Sequence, residues 1–190
     1  MLPLSGRHTG GRLRLGRRWR LIISSLLTLT QPALAATTPA LSFTVSATIT
    51  GGCAFGSTPA SPVSNLGTLN FGSLSSIPGN IDIASSSGAG SVVVTCTPGT
   101  AVSIAMDYGL HGGNSTQRYL ANSAGTATLA YQLYQDSAHS KVWGSGALAM
   151  SVAAFPATTQ TYNVYGRLFA VGTLPGAGIY SDTVTVTLTY

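Results

Sequence analysis

The chain has 190 residues, of which 44% are hydrophobic and only 7% charged, with a formal net charge of +5. Six of its nine basic residues (Arg7, Arg12, Arg14, Arg17, Arg18 and Arg20) lie in the first twenty positions, leaving Arg118, Lys141 and Arg167 against Asp82, Asp107, Asp136 and Asp182. The body of the chain is therefore nearly neutral, which excludes a basic surface for phosphate and with it nucleic acid as a partner.

The arginine-rich start is followed by an apolar stretch, Leu21 to Leu29, and by Ala33-Leu34-Ala35 ahead of Ala36. This is the three-part layout of a cleavable secretory signal over residues 1–35. The apolar stretch is about half of the ~20 residues a membrane-spanning helix needs, so the mature chain is expected to carry no transmembrane span. Export fits the two cysteines, Cys53 and Cys96. In an oxidising compartment such a pair reads as one disulfide, and histidines for a metal site lie far from both in sequence.

From Ala36 onward short strand patterns alternate with turn residues. Phe43, Val45, Ala47 and Ile49 alternate with serines and threonines until Gly51-Gly52. Leu66 to Phe71 is a second, shorter candidate closed by Gly72. Ser85 to Ser91 reads as a flexible loop. Ser91 to Thr97 alternates again and turns at Pro98-Gly99, and Val102, Ile104 and Met106 follow with the same period. After a glycine-rich break from Gly109 to Asn114 come Leu129, Tyr131 and Leu133, then a looser strand from Ala147 to Phe155. Tyr162 to Val171 predicts one strand. The last has Val184, Val186, Leu188 and Tyr190 on one face and threonines on the other. No 3.6-residue period and almost no i,i+4 charge pairs occur. The expectation is one all-β domain of seven to nine strands, a β-sandwich, with a closed barrel as the alternative.

The ionisable residues argue against an enzyme. His111 and His139 are the histidines of the mature chain; neither lies in a nucleophile motif, and both read as surface residues. Four aspartates without a glutamate make a poor source of opposed carboxylates for glycoside hydrolysis, and no cluster of oxygen ligands suggests calcium. Asp107 and Asp182 fall near strand ends, where turn formation explains them. No cofactor or metal is expected. Tyr131, Tyr134, Trp143, Tyr162 and Tyr165 could form an aromatic platform for carbohydrate in a monomeric secreted binding domain, but core and edge packing is the simpler reading.

Several motifs, in their order, resemble the spore coat protein U domain family, which builds archaic chaperone–usher pili. They are Thr50-Gly51-Gly52-Cys53, Leu69-Asn70-Phe71-Gly72, Val94-Thr95-Cys96, Leu133-Tyr134-Gln135-Asp136, Val164-Tyr165-Gly166-Arg167 and the run from Gly178 to Tyr190. The resemblance implies an incomplete immunoglobulin-like sandwich, completed by a donor strand from a neighbouring subunit. Residues 36–50 would then be the donor segment, with Phe43, Val45, Ala47 and Ile49 inserted, and residues 51–190 the pilin domain. Val184, Val186, Leu188 and Tyr190 would line the groove and form the edge that meets chaperone or donor. The family's disulfide carries over to Cys53 and Cys96. The implied partners are a periplasmic chaperone, an outer-membrane usher and neighbouring pilin subunits. The implied destination is the bacterial surface, with roles in attachment and biofilm formation. Alternation alone does not tell whether residues 43–49 pair in cis or in trans.

Overall fold

A computed structural model of the protein describes residues 44–58 and 62–190. The signal segment 1–35 and Phe43 lie outside the described residues. The chain divides into two units, Met1–Ser46 and Ala47–Tyr190. Of the first, Thr44 to Ser46 are described and have no regular secondary structure. The second is all-β, as expected.

Its strands are β1 (Cys53–Phe55), β2 (Ile81–Ala84), β3 (Val92–Cys96), β4 (Val102–Met106), β5 (Arg118–Asn122) and β6 (Thr128–Tyr134). After a 3-10 turn at Gly146–Leu148 come β7 (Met150–Val152), β8 (Gln160–Tyr162), β9 (Tyr165–Leu168), β10 (Tyr180–Ser181) and β11 (Val186–Thr189). They form three antiparallel sheets, ordered β1-β3-β8, β10-β5-β6-β9-β2 and β11-β4-β7. Alternation in β3 and β4 buries Val92, Val94 and Cys96 and then Val102, Ile104 and Met106. These meet Tyr131, Leu133 and Leu168 of the five-stranded sheet, with Trp143 and Phe155, in one core. All three sheets thus close over a single apolar centre.

Several sequence expectations are corrected. Leu66 to Phe71 makes no strand. The Asn65 and Asn70 side chains accept from the Gly67 and Gly72 N–H groups at 2.8 and 2.9 Å, and both glycines have positive φ. Two Asx turns therefore bend the segment, although Leu66, Leu69 and Phe71 still pack against the core. Tyr162 to Val171 is two strands, because the chain crosses at Asn163-Val164 from the β3 ladder to the β6 ladder. Strands β2 and β5 were not foreseen. Ser85 to Ser91 is not a loose loop: Ser85 and Ser91 are buried, and the Ser85 hydroxyl accepts from the Val164 N–H at 2.7 Å. Residues 44–50 form no strand, despite their alternation.

Candidate interaction groove

Strands β1 and β11 are each the outermost strand of a three-stranded sheet, and they lie side by side with no ladder between them. Next to this junction runs a groove of about 610 Å³. One wall is the segment 63–69, tied to β1 by the Val63 N–H donating to the Phe55 carbonyl at 3.0 Å. The other wall is 182–186, leading into β11. Phe55, Leu66, Leu69, Met106, Leu133 and Val164 supply most of its apolar lining. Gly166 lets the first wall approach, since a Cβ there would sit 2.9 Å from Leu69 Cδ2 and 3.1 Å from Phe71 Cζ.

The expected edge residues divide. Val184 and Val186 line the groove, and with Leu188 they are half-buried against the core. Leu188 does not reach the groove lining, and Tyr190 is 61% exposed. Val186 to Thr189 pair with Met106 to Ser103 on one side only. In the same register the Asp107 N–H donates to the Thr185 carbonyl at 3.0 Å. Main-chain groups of Thr185 and Thr187 therefore face β4, while those of Val184, Val186 and Leu188 face the open edge. Val45 and Ile49 are 82% and 87% exposed.

Cys53 and Cys96 form the disulfide, joining directly opposed residues of β1 and β3. The bridge fixes the root of the 63–69 wall.

Behind the other wall lies a polar network that the sequence did not announce. Arg118 is fully buried, the one such cation among the described residues. Its Nε and Nη2 donate to the Asp107 carbonyl at 3.0 and 2.6 Å, and Nη2 also donates to the Trp143 carbonyl at 2.7 Å. Nη1 donates to Gln132 Oε1, and the Tyr108 ring stacks 5.2 Å away. Burial pulls the guanidinium below its ordinary pKa, while Tyr131, Tyr108 and the Asp107 and Asp182 carboxylates act the other way. The Asp182 carboxylate is also buried and accepts from the Leu110 N–H at 2.9 Å and the Tyr131 hydroxyl at 2.6 Å. Burial, then this carboxylate, drives the Tyr131 phenol far above its usual value. The two aspartates read as turn residues thus hold the groove wall. A short apolar strand beginning with arginine was the available signal.

His111 is exposed, as read, and stands 3.8 Å from Asp182. His139 was read too simply. The His139 side chain is only 6% exposed, against Tyr134 and Tyr165, with Nδ1 3.6 Å from Asp82 Oδ2 and 3.2 Å from Arg167 Nη2. It covers an ion pair rather than facing solvent. Tyr131, Tyr134 and Trp143 are buried and Tyr162 packs against the core, so the five aromatic residues do not assemble into an exposed platform. Among the described residues no three or more His, Cys, Asp or Glu side chains gather to hold a metal, and no helix is long and apolar enough to cross a membrane.

Residues 40–187 match the family model of the Spore Coat Protein U domain, and the chain belongs to that family. Among solved structures it is similar to the pre-assembly complex of the CsuC chaperone and the CsuE tip adhesion subunit, from archaic chaperone-usher Csu pili of Acinetobacter baumannii. The match has 26% identity and a TM-score of 0.47, and covers 75% of this chain but 40% of that one. This chain therefore spans well under half of the solved chain's length. No curated protein matches the sequence.

Proposed function

We propose that this protein is a structural subunit of an archaic chaperone–usher pilus, exported through the periplasm and polymerised by donor-strand complementation. The observation that carries this reading is the groove beside the open edge of β11, between two sheets whose facing outer strands share no ladder. An extended segment laid there would use the main-chain groups of Val184 and Val186 that face the open edge and bury alternate side chains against the apolar floor. Residues 43–49 have that alternation, and those described form no strand of their own. Phe43, Val45, Ala47 and Ile49 are the side chains a neighbouring subunit would receive. A periplasmic chaperone would cover the same edge before assembly, because an unpaired edge next to exposed apolar surface invites aggregation. An outer-membrane usher would then exchange chaperone for donor, and the fibre would serve surface attachment and biofilm formation.

The test is the mobility of the exported protein in SDS, unheated and boiled, alongside a variant lacking residues 36–50. A ladder that collapses on boiling and is absent from the deletion is expected. A single monomer band in every lane, from protein that folds without any chaperone, would overturn the proposal.

A further inference from the structure

The ladder between β4 and β11 carries a substitution at its last rung. In an antiparallel pair such as Asp107 and Thr185, each residue normally gives its N–H to the other's carbonyl. Here the Asp107 N–H does so, but the Thr185 N–H donates at 3.0 Å to the Asp107 side chain, Oδ1. The Asp107 carbonyl is engaged instead by two nitrogens of the buried Arg118. The same Oδ1 accepts from the Gly109 N–H at 3.1 Å, so the carboxylate also turns the chain away from β4. Beyond this rung residues 182–184 no longer follow the ladder. The wall is held at its far end by Asp182 on the Leu110 N–H and the Tyr131 hydroxyl.

We infer that Asp107 and Arg118 are positioning residues for donor capture: by replacing one main-chain rung with a side-chain rung, they hold the 182–186 wall at the spacing an inserted strand needs. The Asp107 N–H still meets the Thr185 carbonyl directly, so the change is confined to the N-terminal side of Thr185, where the carboxylate replaces the carbonyl as acceptor and the groove opens. Arg118 makes this arrangement stable by occupying the carbonyl that Thr185 would otherwise claim. Its own burial is tolerated because its donors meet carbonyl and amide oxygens. Neither residue touches the donor; both act through Thr185. The inference rests on the polymerising function proposed above.

The experiment compares full-length wild type with Asp107→Asn and Asp107→Ala, reading SDS-resistant oligomers over time and amide exchange at Thr185. Asparagine keeps the Oδ1 acceptor without the charge, and alanine removes it. Asp107→Ala is expected to assemble about five- to tenfold more slowly and to lose Thr185 protection, the fold-change one hydrogen bond carries. Asp107→Asn is expected to remain near wild type in both. Equal assembly by wild type and Asp107→Ala would overturn the inference, as would equal failure of both variants. Disulfide formation and far-ultraviolet circular dichroism check folding. Should Asp107→Ala not fold, Asp107→Ser keeps a polar group too short to reach Thr185, and the same slowing is expected of it. A wild type that never forms oligomers overturns the polymerising function itself, and the positioning role falls with it. A wild-type ladder with unaffected variants overturns the positioning role alone.

Discussion

Arg167 and Asp82 face each other across β9 and β2, joined by two hydrogen bonds of 2.6 and 2.7 Å. The Arg167 hydrogen bond holds the Asp82 carboxyl below its ordinary 3.8; burial opposes it, and the nearby His139 and Arg167 charges add smaller lowering effects. A carboxyl depressed by folding adds stability above its unfolded value and loses it as pH falls through the lowered one. Between neutral pH and about pH 3 the urea midpoint of wild type should therefore drop more than that of Asp82→Asn. The side chain is 42% exposed, so the difference should stay under about 1 kcal/mol. Gly166 makes a sharper demand. Gly166→Ala would press its methyl group on Leu69 and Phe71, and a loss of about 1–3 kcal/mol in denaturant unfolding is expected.

At the scale of elements, β1 is the weakest link of the groove. It has three residues and one ladder partner, yet its Phe55 carbonyl anchors the 63–69 wall. Cross-linking to β3 compensates for its shortness. The bridge closes a loop 43 residues long, for which chain entropy gives about 4 kcal/mol. Replacing both cysteines with alanine should lower unfolding stability by that order, read from chemical denaturation. Local protection at Phe55 and Val63 should be lost first. Strands β3 and β4 were legible in the sequence because buried apolar residues recur at every second position, Val92, Val94 and Cys96 and then Val102, Ile104 and Met106. Strands β2 and β5 were not: β2 is only four residues long, and β5 turns the charged Arg118 inward where the pattern calls for an apolar residue. Leu66 to Phe71 had the right side chains for a strand, but the Asx turns at Asn65 and Asn70 override the pattern locally. Two of the motifs that pointed to the family turn out to touch each other, with Leu69 and Phe71 lying over Gly166. Their physical reason became visible only with the chain folded.

For the molecule as a whole, the fold class was legible and the groove only half so. Alternation marked Val184, Val186 and Leu188 as one face, but nothing local shows that two sheets would stop short of joining. The pairing of distant segments decides that, and the polar network behind the wall depends on residues as far apart as Asp107, Arg118 and Asp182. That distance in sequence has a consequence for any fibre built from this subunit. The two groove walls, 63–69 and 182–186, lie more than a hundred positions apart, whereas the proposed donor segment, residues 36–50, precedes both. If the chain polymerises as proposed, one broken off before residue 182 would keep its donor segment but lose the 182–186 wall and the β11 edge that would seat the next subunit. Such fragments would act as chain terminators. Even a small proportion of them would set the mean fibre length, so the completeness of each subunit becomes a control on how far growth proceeds.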